Sequence, residues 1–247
     1  MHYVMSDLHG EYGLYRKILE QIAFSDQDTL YILGDVLDRG PNPVKLLLDM
    51  MERPNVEFLC GNHELMGLDC LSFLCRDITT KNLEEAEREA DRLSRKMLEW
   101  QLNGSQTTLD EFCRLGRRDR REVLDYLGEA ELFAEVEVGE KTYILVHGGL
   151  GNFRPEKELW EYSPDELLWT RPDYQAPYFT DDRYVVTGHT PTQTIPDHPR
   201  PGYIFRQNHH IAMDCGCFLP EGRLACIRLE DGAEFYAEHR DFCSTIS

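Results

Sequence analysis

Five times along this chain a short apolar run ends abruptly at a cluster of histidine, aspartate or asparagine. HYVM runs into SDLHG, TLYIL into GDVLDRG, VEFLC into GNHE, TYILV into HGG and RYVVT into GHT. Short β-branched and aromatic runs bounded by turn residues read as buried strands, so each polar cluster reads as a strand end. In the first half a helix follows. After the first strand, residues 11–24 place Tyr12, Tyr15, Ile18, Leu19 and Ile22 on one helical face, and residues 42–52 do the same with Val44, Leu47, Leu48 and Met51. Strands alternating with helices that must bury one face predict an α/β fold, with both helices packed on the sheet.

From about residue 65 to about 135 the rhythm changes to a charged, helix-forming insertion. NLEEAEREADRLSRKMLEW spaces Leu83, Ala86, Ala90, Leu93, Met97 and Trp100 alternately three and four apart, a single apolar stripe. With fewer than three heptads it is short for a coiled coil, so the helix is expected to lie on its own domain as part of a helical cap. A second helix is predicted over DRREVLDYL, stopping at Gly128. Beyond Pro172 the prolines scatter, and HHIAMDCGCFLPEGRLACIRLEDG alternates and turns like a β-hairpin or meander. No repeat or low-complexity tract is visible, and residues 1–247 are expected to form one domain carrying the cap.

Composition narrows the function. A hydrophobic content of 41% suffices for a core, while 26 lysines and arginines against 45 acidic residues give a net charge of −19. That balance argues against nucleic acid and anionic lipid as partners. MHYVMSDLHG lacks a basic region followed by an apolar one, and no run approaches the ~20 apolar residues of a membrane span, so a cytoplasmic location is expected. The eight cysteines show no CxxC pair and read as reduced thiols, with CGC at 215–217 placed in a strand.

Ligands in open α/β sheets bind beyond the carboxyl ends of the strands. The five ends supply Asp7 and His9, then Asp35, Asp38 and Arg39, then Asn62 and His63, then His147, then His189. Imidazoles mixed with carboxylates and an amide suit manganese, iron or zinc, and this many donors exceed what one open site needs. Two metal ions are implied. A carboxylate can bridge ions about 3.5–4 Å apart, a geometry suited to phosphoryl displacement. Arg39, between the cluster and Gly40-Pro41, fits a phosphate by bidentate pairing.

SDLHG, GDVLDRG, GNHE, HGG and GHT, in that order, resemble the sequence blocks of PPP-type calcineurin-like metallophosphoesterases, over about residues 3–214. Within that family, GNHELMGLD and WQLNG are similar to the small bacterial and phage-lambda-type serine/threonine protein phosphatases. The resemblance implies a β-sandwich flanked by helices. It also implies one metal held by Asp7, His9 and a bridging Asp35, and a second held by Asp35, Asn62, His147 and His189. His63 corresponds to the general acid and Asp38 to the carboxylate that orients it. Arg39 and Arg171, the latter from LLWTRPD, correspond to phosphate clamps, with Asn62 also facing the substrate phosphate. Trp169 reads as core and Glu64 as structural. Ser6 stands where the family usually has glycine, a change expected to leave the metals in place. The C-terminal loop that covers the site in animal phosphatases has no counterpart.

The expected activity is that of a metal-dependent phosphomonoesterase, in which a hydroxide bridging two divalent ions attacks phosphorus in line. Manganese is expected ahead of iron or zinc. The expected substrate is phosphoserine or phosphothreonine in a protein or peptide, with phosphotyrosine also accepted. A symmetrical bis(5'-nucleosyl)-tetraphosphatase is the alternative. A non-catalytic scaffold is disfavoured because every expected ligand is present, and a nuclease because no basic stripe exists. The sequence leaves the oligomeric state open.

Overall fold

The structure, a computed structural model, describes residues 1–76, 79 and 83–241. β1 (His2–Met5), α1 (Tyr12–Gln21), β2 (Thr29–Ile32), α2 (Pro43–Met51) and β3 (Val56–Phe58) come first. Four helices follow as an insertion: α3 (Asn62–Leu74), α4 (Leu83–Leu102), α5 (Gln106–Arg114) and α6 (Arg117–Gly128). The chain returns through β4 (Phe133–Val138), β5 (Lys141–Val146), the short α7 (Pro164–Leu168), β6 (Arg183–Thr187), β7 (Phe205–Gln207), β8 (His210–Ala212), β9 (Arg223–Arg228) and β10 (Glu234–Glu238).

The strands form two five-stranded mixed sheets, ordered β10-β9-β1-β2-β3 and β4-β5-β6-β8-β7. β1, β2 and β3 run parallel, as do β5, β6 and β8, and the remaining neighbours pair antiparallel. Alternate residues of each strand serve different layers. Val4, Leu33, Tyr143, Leu145, Val186, Ala225 and Ile227 meet between the sheets. Tyr3, Met5, Leu30, Ile32, Leu224 and Cys226 face outward under α1, α2 and the inserted helices, while Ile144, Val146 and Val185 face outward on the other side. Burial on both faces is why the strands read as continuous apolar runs. The expected sandwich flanked by helices is therefore the fold.

The insertion confirms the stripe on α4. Ala86, Leu93 and Trp100 are buried, Met97 is half-buried and Ala90 is exposed, and the helix packs along α3. The side chain of Leu83 lies outside the described residues, as does Cys243. α6 ends at Gly128 as expected, and α3 and α5 stand with it and α4 between β3 and β4.

The C-terminal third departs from the sequence reading. Its alternating stretch is not one meander, because β8 belongs to the second sheet and β9 to the first. Cys215, Gly216 and Cys217 lie in the crossover between sheets rather than in a strand. The spacing of the two cysteines fits a strand, but this crossover runs through the interior beside the first strand end, where the Cys217 thiol donates to the Asp7 carbonyl at 2.9 Å. All seven described cysteines are free. No described helix is long and apolar enough to cross a membrane.

Candidate active site

The five polar strand ends come from both sheets and meet at one edge of the sandwich. Two contacts bridge the sheets: His147 Nδ1 to the Leu33 carbonyl at 2.6 Å, and the His189 amide to the Asp7 carboxylate at 3.0 and 3.1 Å. The backbone there is strained. Asp7, His9, Asp35, Asp38, Arg39 and His189 all have positive φ, between 40° and 71°. Such conformations cost on the order of 1–3 kcal/mol each and persist where surrounding contacts over-determine them. Glu64 supplies four of those contacts. Its buried carboxylate accepts the amides of Asp35, Val36, Leu37 and Gly61 at 2.7–3.0 Å, which bears out its structural reading. Gly188, before His189, is required by close approach, since a Cβ there would stand 1.8 Å from Ser6 Oγ and 2.1 Å from Asp7 Oδ2.

Asp35 lies at the centre. Its Oδ2 is 3.7 Å from His9 Nε2 and 3.8 Å from His63 Nε2, and its Oδ1 is 3.4 Å from His147 Nε2. Two donor groups share this carboxylate, His9–Asp35–His63 and Asp35–His147–His189, each with ligand atoms within 4.8 Å of one another. The imidazoles are aimed. Nδ1 of His9 and of His147 lies against a carbonyl, Leu37 O at 2.9 Å and Leu33 O at 2.6 Å. A carbonyl only accepts, so each Nδ1 carries a proton and each Nε2 is turned into the site. Asn62 Oδ1 sits 2.9 Å from both His147 Nε2 and His189 Nδ1, so a further lone pair joins that group.

The charges make the same demand. Burial and the Asp35 charge push the Asp7 carboxyl up to about 8. Burial also acts to raise Asp35, but His147, His63 and His9 outweigh it and hold that carboxyl well below its ordinary range. Asp214, buried beside them, is driven well above its ordinary value by burial and then by Asp7. Three buried carboxyls packed in one corner among imidazole nitrogens are the environment a cation stabilises. The donor set fits a dinuclear site of nitrogen- and oxygen-ligated divalent ions.

Beside these donors, His63 Nδ1 meets Asp38 Oδ2 at 2.6 Å. Arg39 extends its guanidinium between the histidines, 2.8 Å from His9 Nε2 and 3.0 Å from His63 Nε2, with the Phe218 ring 4.3 Å away over its face. Asp7 has its carboxylate turned to the His189 amide and to the Ser6 hydroxyl at 2.5 Å. Arg171 sits apart, lining an open cavity of about 430 Å³ with Trp169, Asn152 and Glu166. Trp169 is not core. It is 40% exposed, with its indole edge 6.1 Å from the His189 ring, because α7 ends there at the rim of the site.

Sequence reasoning missed Asp214, Trp100 and Thr108. Asp214 follows the end of β8 as the earlier ligands follow theirs, a signal hidden by reading that stretch as a meander. Trp100 enters the sequence reading as the end of an apolar stripe and the start of WQLNG, with no role at the site, although its indole nitrogen reaches Asp38 at 2.7 Å. Thr108 gave no signal at all.

Comparison with known proteins accords with this geometry. Residues 3–211 match the calcineurin-like phosphoesterase family. The chain belongs to that family. Serine/threonine-protein phosphatase 2 of Salmonella typhimurium is 27% identical over 174 residues, covering 68% of this chain and 67% of that protein. The symmetrical bis(5'-nucleosyl)-tetraphosphatase of Delftia acidovorans is 32% identical over 100 residues, 40% of this chain and 35% of that one. Among solved structures, one assigned provisionally as a diadenosine tetraphosphatase superposes with a TM-score of 0.64 at 15% identity, covering 96% of this chain and 92% of that one. A yeast protein serine/threonine phosphatase from Saccharomyces cerevisiae gives 0.55 at 16% identity, covering 96% and 79%. At such identities these structures speak to the fold alone. As a calcineurin-like phosphoesterase, the chain is a hydrolase of metallophosphoesterase type, and its His/Asp cluster suits the family's dinuclear metal site.

Proposed function

We propose that this calcineurin-like phosphoesterase is a phosphomonoesterase that removes phosphate from serine and threonine in proteins or peptides, with phosphotyrosine also accepted. The observation that carries the reading is the 174-residue alignment with serine/threonine-protein phosphatase 2, against 100 residues with the Delftia tetraphosphatase. The symmetrical tetraphosphatase reading is kept because a relative of that name reaches 40% identity, over 67 residues.

In this reading Asp7, His9 and Asp35 would hold one divalent ion, and Asp35, Asn62, His147 and His189 would hold the other, with manganese ahead of iron or zinc. When bound, such a pair supplies an activated water and neutralises charge on the phosphoryl group. Arg39 takes two phosphate oxygens, Arg171 closes on the phosphate from the rim, and Asn62 faces it from the start of α3. His63 gives a proton from Nε2 to the departing oxygen. Burial works against its imidazolium, but the Asp35 charge and the Asp38 hydrogen bond prevail and raise its pKa, which favours the acid form. Asp38 fixes the ring by holding Nδ1–H.

The test is a panel of phosphoserine, phosphothreonine and phosphotyrosine peptides beside diadenosine tetraphosphate, with p-nitrophenyl phosphate as the small-ester background. Peptide turnover well above that background supports the reading. Peptide turnover below it, with rapid cleavage of the dinucleotide, establishes the alternative.

A further inference from the structure

Asp38 is fully buried, and its carboxylate accepts from three donors. Oδ2 takes His63 Nδ1 at 2.6 Å and the Trp100 indole N–H at 2.7 Å. Oδ1 takes the Thr108 hydroxyl at 2.6 Å, while the same hydroxyl oxygen accepts the Asp38 amide at 2.9 Å. That amide fixes the direction of the Thr108 proton, leaving it only Asp38 as acceptor. Both residues come from the cap, 62 and 70 positions from Asp38.

The surroundings are shaped for this arrangement. Trp100 has no exposed surface, and α3 makes room for it at Gly67, where a Cβ would stand 2.9 Å from Cζ2 of the indole. The Gly104 carbonyl, in the turn between α4 and α5, accepts the Arg39 amide at 2.9 Å. The cap thus grips the end of β2 on both sides of the His63–Asp38 pair.

We propose that Trp100 and Thr108 are positioning residues for proton transfer, locking both oxygens of Asp38 so that His63 aims at the leaving oxygen. The inference rests on the reading of His63 as general acid. A carboxylate held at one oxygen only turns about its Cβ–Cγ bond, and the imidazole turns with it. Misplacement of a catalytic group by about 1 Å can cost as much as 10²-fold. The loss falls on substrates whose leaving group needs the proton and spares those whose leaving group departs as a stable anion.

Trp100→Phe keeps an aromatic ring but removes the pyrrole part with its N–H, Thr108→Val keeps the shape and removes the hydroxyl, and Thr108→Ser restores it. For each metal-loaded variant, kcat/KM is measured on phenyl phosphate and on 2,4-dinitrophenyl phosphate, with metal content and melting temperature alongside. Trp100→Phe and Thr108→Val are expected to lose about tenfold or more on phenyl phosphate and less than about twofold on the dinitrophenyl ester. Thr108→Ser should recover. Equal losses on the two esters, while His63→Ala still discriminates between them, would overturn the positioning role and leave the acid standing. If His63→Ala fails to discriminate, the acid reading falls and the inference with it.

Discussion

His63 and Asp35 sit 3.8 Å apart and are expected to fail differently when removed. His63→Ala should lower turnover of alkyl phosphates by about 10²–10⁴-fold while metal content stays near the parent level. Asp35→Ala should lose both, because its two oxygens face the two donor groups. Equal metal loss in the two variants, read by elemental analysis, would place His63 among the ligands instead. Ser6 is subtler. Its hydroxyl at 2.5 Å from Asp7 Oδ2 orients a proposed ligand, so Ser6→Ala should weaken metal retention about tenfold in chelator competition, and unchanged retention would make the hydroxyl a bystander. His210 lies away from these donors, stacked near Tyr174 and Tyr178 with Nε2 on Thr187 Oγ1 at 2.8 Å. Burial pushes its pKa down to about 3. The unfolded imidazole binds a proton below about pH 6.5, so unfolding takes up about one proton between these values and stability falls as pH falls. His210→Gln should therefore lose less melting temperature between pH 7 and pH 5 than the parent, and an identical loss would show that this ring stays neutral for no cost.

Among the elements, the cap is where packing and chemistry join. Phe112 on α5 is fully buried in the core beneath the first sheet, one turn after Thr108. Phe112→Ala should cost about 3–5 kcal/mol in denaturant unfolding, and a cost below about 1 kcal/mol would mean the cap is packed only loosely on the sheet. The strands and α1, α2 and α4 were legible in the sequence because burial of one or two faces leaves a period in the chain. Trp100 carried that same period, so its packing could be read and its hydrogen bond to Asp38 could not. Contacts across 62 or 70 residues are made by tertiary folding and leave no local pattern. Trp169 misled for a related reason: an indole next to LL reads as core, and only the end of α7 decides that it lies at the rim. The split of the C-terminal third between sheets was likewise invisible, since a crossover and a hairpin use the same turn residues.

At the scale of the molecule, the strand ends come from two sheets packed face to face, as the expected sandwich requires. That arrangement lets β1, β2 and β3 bring acids, histidines and an arginine from one side while β5 and β6 bring His147 and His189 from the other. The first sheet alone supplies His9, Asp35 and His63, but the group of Asp35, His147 and His189 needs both sheets, so the second donor group is assembled only when the sandwich folds. The central claim is that this junction binds two metal ions that act together on a phosphate ester. Titration of metal-depleted protein with Mn²⁺, followed by hydrolysis of p-nitrophenyl phosphate, tests it most directly. Activity should rise to its plateau at two equivalents per chain, whereas a plateau at one equivalent, or full activity without added metal, would contradict the account.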